Sequence, residues 1–154
     1  MNIVDQRKAH YIMLRNFVRG FHDALSKELC NSLIEWFESE PDVKTEDVNR
    51  ETRKDKQIWL PETSELYNPV QSVKYDMMHE YLIEFPYAYR GARKLVTPEI
   101  KVQRTNPMGG GFHNFHAEVS HWENCKRALV WTIYLNNIPE GEGETEFLYE
   151  KIRI

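Results

Sequence analysis

Cysteine is scarce: Cys30 and Cys125 are the only two in 154 residues. One pair cannot build the multi-bridge framework of a small secreted scaffold, so both are read as reduced thiols of a cytoplasmic protein. Glycine and proline number 7 each, too few for a collagen-like or linker-like chain. Positive charge is not in excess, since 20 Lys+Arg against 24 Asp+Glu leave a net charge of -4. Broad binding to a phosphate backbone needs a basic footprint, so nucleic acid is not expected as a partner. No uninterrupted apolar run exceeds four residues, as in Ala128–Trp131, whereas a membrane span needs roughly 20. A secretory signal is missing too, because Asp5, Arg7, Lys8 and His10 interrupt the N-terminus where its apolar region would lie. No Ser stands in a Gly-x-Ser-x-Gly elbow, which leaves serine hydrolase chemistry without support.

What is present suits one soluble domain. The chain is 41% apolar and 29% charged, and its 7 Phe, 8 Tyr and 4 Trp supply ample material for burial. Character changes once, near Pro98: helical spacing dominates before it and short strand-like segments follow. The spacing of Leu29, Cys30, Leu33, Ile34 and Phe37 predicts a helix from Ser26 to Glu38, with Ser26 as N-cap and Pro41 beyond its end. Asn68-Pro69-Val70-Gln71 predicts a second start, with Asn at the N-cap and Pro at the first helical position. Val70, Val73, Met77, Tyr81 and Phe85 then share a face, and Pro86 ends the helix. Residues Asp42 to Lys56 mix both charge signs and read as a solvated loop.

Four strands are expected after Pro98: Glu99–Thr105, Phe112–Glu118, Arg127–Leu135 and Thr145–Tyr149. The third is apolar on both faces and predicts burial on both sides, with the two helices as cover. The expected class is α+β with a mainly β core: residues 1–97 mostly helical support, 98–154 the sheet.

The chemistry gathers in Gly109-Gly110-Gly111-Phe112-His113-Asn114-Phe115-His116-Ala117-Glu118. Residues two apart on a strand share a face, so His116 and Glu118 point the same way. An imidazole and a carboxylate converging so can share a divalent metal, though a facial triad needs a second histidine. His113 and His116, three apart, face opposite sides. His121 and Cys125 lack the second couple of a structural zinc site. The glycine run is followed by a strand-like segment rather than the helix a phosphate cradle requires, and reads as a tight turn.

Three blocks occur in order. They are Lys101-Val102-Gln103-Arg104-Thr105-Asn106-Pro107 with the His116 segment, Arg127-Ala128-Leu129-Val130-Trp131-Thr132-Ile133-Tyr134-Leu135-Asn136, and Gly143-Glu144-Thr145-Glu146-Phe147-Leu148-Tyr149. The series resembles the prolyl 4-hydroxylase-like 2-oxoglutarate/Fe(II)-dependent dioxygenases, chiefly their small prokaryotic and phage members. The resemblance implies a double-stranded β-helix, or jelly roll, with N-terminal helices on one face. It implies His116 and Glu118 as iron ligands and Tyr134 as a contact of 2-oxoglutarate. Most of the superfamily has Asp where Glu118 stands. Thr105 and Phe112 occupy positions where relatives often carry tyrosine.

The implied cofactors are Fe(II) and 2-oxoglutarate, with ascorbate as an accessory reductant. The implied reaction hydroxylates a C–H bond of a small-molecule or peptidyl substrate, prolyl or other, as 2-oxoglutarate becomes succinate and CO2. The family's distal histidine and the basic residue for the far carboxylate have no match before Ile154, nor do the final strands of the roll. The sequence is therefore expected to be part of a longer dioxygenase, or else a degenerate or split form completed by another chain. Self-association through an incomplete sheet is expected as well. A non-enzymatic β-sandwich binding module, with His116 and Glu118 incidental, is the alternative.

Overall fold

The computed structural model describes residues 10–15, 17–42, 44–49, 53–89, 99–107, 109–119, 122 and 125–154; for 10–15, 44–49, 53, 54 and 89 it describes the backbone alone. The class is α+β. Strands β1 (His10–Arg15) and β2 (Val18–His22) form an antiparallel hairpin. Helix α1 (Lys27–Ser39) follows, then β3 (Lys44–Asn49), β4 (Arg53–Leu60) and helix α2 (Tyr67–Glu84), which runs into a short 3-10 turn at Pro86–Tyr89. Next come β5 (Ile100–Thr105), β6 (Gly111–Phe112) and a terminal pair, β7 (Glu146–Phe147) and β8 (Ile152–Arg153). No helix among the described residues is long and apolar enough to cross a membrane.

The main sheet is antiparallel, in the order β3-β4-β5, and β6 also pairs with β4. Register sets Ile58 opposite Val102 and Leu60 opposite Ile100. Side chains directly across a ladder share a face. On this face Leu60, Ile100 and Val102 are buried with Leu33 and Phe37 of α1 and Tyr67 and Val70 of α2. Helix α1 packs through its predicted stripe, whereas α2 buries Tyr67, Val70, Gln71 and Lys74, so of the stripe predicted for it only Val70 is buried. The rows flanking these pairs hold Gln57 opposite Gln103 and Trp59 opposite Lys101. Buried Asp55 accepts a hydrogen bond from Gln103 Nε2 at 2.5 Å.

Helix α1 begins as predicted: Ser26 is the N-cap, and its hydroxyl accepts from the Leu29 N–H at 3.2 Å. Helix α2 begins earlier than predicted. Leu66 is its N-cap and Pro69 its third residue, while Ser64 holds the entry through bonds from the Leu66 and Tyr67 N–H groups. Pro69 is tolerated there because the first N–H groups of a helix have no internal partner in any case. The far end of α2 clasps the hairpin. Phe85 stacks on Phe17 and Tyr81, the Arg19 guanidinium lies 4.5 Å over Phe85, and Arg19 pairs with Glu84.

The loop expected from Asp42 to Lys56 is instead the β3–β4 ladder. Lys44, Glu46 and Asp47 make β3 read as polar, yet such charges are common on an edge strand. Four strands therefore stand beside the two helices before Pro98. The strand expected over Phe112–Glu118 ends its ladder at Phe112, and Thr145–Tyr149 is reduced to Glu146–Phe147. Arg127–Leu135 forms no ladder among the described residues. The burial expected on both of its faces is not found: Ile133 and Leu135 pack against the core, whereas Val130, Trp131 and Tyr134 are exposed.

Candidate metal centre

The site starts at a turn. Strand β5 leaves the β4 ladder at Thr105, and the chain returns to it at Gly111. Between them the Gly110 N–H donates to the Asn106 carbonyl at 3.1 Å. A Cβ on Gly110 would collide with the Asn106 backbone, and Gly111 takes φ +108, a left-handed value that other residues avoid. The glycine run is thus the tight turn that its sequence predicted, and it sets Phe112 at the sheet edge.

Phe112 then supports the next feature. Its ring meets the His116 ring edge-on, with centroids 4.2 Å apart. His116 Nδ1 lies 3.0 Å from the Asn114 carbonyl oxygen, which only accepts, so this nitrogen carries the proton. In the neutral ring Nε2 is therefore left as the free lone pair. Nε2 lies 3.3 Å from Glu118 Oε1. The two predicted ligands are brought together although the ladder has ended before them. Both are half-exposed. Glu118 Oε2 accepts a hydrogen bond from Arg127 Nη1 at 2.9 Å.

The donor set fits a cation. At 3.3 Å the two acceptors repel unless a proton on Nε2 or a cation held by both relieves them, and a metal would sit to one side of the line between them. Donors bound side by side to a metal at about 2.1 Å each stand roughly 3 Å apart, close to this spacing. Among the described residues no third His, Cys, Asp or Glu joins the pair. His121 lies outside the described residues. His113 turns elsewhere, with Nε2 3.3 Å from the Gly109 carbonyl.

Tyr134 is placed differently. Its hydroxyl lies 2.5 Å from Thr145 Oγ1 and donates to the Ile154 carbonyl at 3.3 Å, so it binds the β7–β8 hairpin rather than the pair. Sequence reading missed Arg127 as a partner of Glu118. Its only signal was a cation opening an otherwise uncharged run. Lys74 was also missed. It is buried on α2, hydrogen-bonded to Gln71, with Nζ 5.5 Å over the Trp131 ring.

An α+β chain with an exposed histidine–glutamate pair backed by an arginine is the class that fold and site define. No protein-family model, no curated protein and no solved structure matches the chain.

Proposed function

We propose that the chain belongs to a 2-oxoglutarate- and Fe(II)-dependent dioxygenase that hydroxylates a prolyl or other C–H substrate. The observation that carries this reading is the convergence of His116 Nε2 and Glu118 Oε1 at 3.3 Å, with Nδ1 already engaged by Asn114. These residues supply two ligands of a facial triad. Among the described residues no third ligand joins them. When bound, such a centre supplies C–H hydroxylation coupled to decarboxylation of 2-oxoglutarate.

The chain's own groups do the holding. Asn114 fixes the tautomer of His116, Phe112 fixes the ring plane, and Arg127 fixes the Glu118 carboxylate. Tyr134 is the residue assigned to 2-oxoglutarate. Its hydroxyl is held by Thr145 and the Ile154 carbonyl and would have to leave the Thr145 bond to reach the co-substrate. On the same reading the β3–β4–β5 sheet and the 127–135 segment are parts of a jelly roll. The packing of Ile133 and Leu135 on the common core supports this.

The test is anaerobic titration of Fe(II) into the whole chain, read by binding and by the visible charge-transfer band that forms when 2-oxoglutarate chelates iron. We expect saturable Fe(II) binding, weakened at least about tenfold in His116→Ala and in Glu118→Ala, scaled to what supporting residues alone contribute. Circular dichroism of the variants should match the wild type. No binding, or equal binding in both variants, overturns the proposal and favours a binding module in which the pair is incidental.

A further inference from the structure

We infer that Arg127 is a positioning residue of the metal centre, which rests on the reading of His116 and Glu118 as metal ligands. The two oxygens of Glu118 have divided tasks: Oε1 faces His116 Nε2 at 3.3 Å, and Oε2 accepts from Arg127 Nη1 at 2.9 Å. The arginine comes from a different stretch of chain, nine residues on. It enters from the far side of the carboxylate.

Stability does not explain this pair. The side chains of Arg127 and Glu118 are 55% and 43% exposed, and exposed ion pairs contribute little to folding. Orientation does explain it. A glutamate arm has one more rotatable bond than an aspartate and can offer a cation one oxygen, two or none. Tying Oε2 leaves Oε1 as the single donor aimed at the space shared with His116. Glutamate, where a shorter carboxylate would be stiffer, makes such a tether useful. The guanidinium also repels an incoming cation, at a separation shorter than the about 8 Å screening length of physiological salt, so tighter binding by Arg127→Ala would show that repulsion outweighs orientation and would overturn the inference.

The test uses Co(II), which is stable in air and has a visible spectrum that reports its ligands. The whole chain is titrated as wild type, Arg127→Ala, Arg127→Lys and His116→Ala. We expect Arg127→Ala to bind about tenfold more weakly, the scale of outer partners of metal ligands, with an altered Co(II) spectrum and an unchanged melting temperature. Arg127→Lys, which can still tie one oxygen, restores the wild-type spectrum and most of the affinity. If His116→Ala abolishes binding while Arg127→Ala binds as tightly as the wild type with the same spectrum, Arg127 has no positioning role. If the wild type binds no Co(II), or His116→Ala binds equally well, the metal reading itself fails and takes this inference with it.

Discussion

Lys74 carries its charge where charge is costly. It is buried on α2, donates to Gln71 Oε1, and lies near the faces of Tyr75 and Trp131. Burial pushes its ammonium down to about 8. In the unfolded chain the group titrates near about 10.4. Below pH 8 both states are protonated, and the buried charge opposes folding. From there to about 10.4 the unfolded state binds more protons, so this residue's share of stability rises with pH. Burial also raises Cys30 and Tyr81, Arg19 partly opposing it at Tyr81, and these groups lower stability as they begin to ionise in the unfolded chain. The comparison must therefore be a difference. Urea midpoints of wild type and Lys74→Met at pH 7 and pH 10 should converge at the higher pH, with the variant ahead at the lower. Parallel shifts in both proteins would show that Lys74 does not titrate in this range.

At the scale of elements, α1 is the part most open to reading. Its stripe needs only neighbours within one turn, and its cap is a single side chain. Ser26→Ala should cost about 1 kcal/mol through the lost bond to the Leu29 N–H. Leu33→Ala, which empties a buried site shared with both helices and the sheet, should cost about 2–5 kcal/mol. Chemical denaturation of both variants checks the ranking; a Leu33→Ala loss no larger than that of Ser26→Ala would place the core elsewhere. Helix α2 was legible as a helix but not in its first residue, because Pro69 fits several early positions and the Ser64 turn selects among them. Strand β3 was illegible because Lys44, Glu46 and Asp47 carry no apolar alternation. Its ladder comes from β4, which is itself held by β5. The His116–Glu118 contact was legible as a two-residue spacing, although the strand expected to supply it ends at Phe112. Arg127 was not, since its approach to Glu118 depends on the path of the chain between them.

Over the whole molecule, burial is uneven. The two helices and the main sheet share one core, while Phe115, Trp122, Val130, Leu148 and Tyr149 in the last third are exposed. Where such side chains adjoin, they favour association with another chain. A second copy is the partner we expect. No charge lies between Arg127 and Glu140, and antiparallel pairing of two such segments brings the Lys126–Arg127 end of one towards the Glu140–Glu142 end of the other. Sedimentation velocity should show association that grows with concentration and is reduced by Val130→Lys. A monomer at every concentration would leave this surface without a copy to bind. The division between chain and fold follows from range. Helix α1, the glycine turn and the pairing of His116 with Glu118 depend on neighbours a few residues away, whose geometry any local reading can supply. The β3–β4 ladder, the burial of Lys74 beside Trp131 and the hold of Arg127 on Glu118 join residues that meet only after the chain has folded back. Their energies come from contacts that no spacing along the sequence encodes.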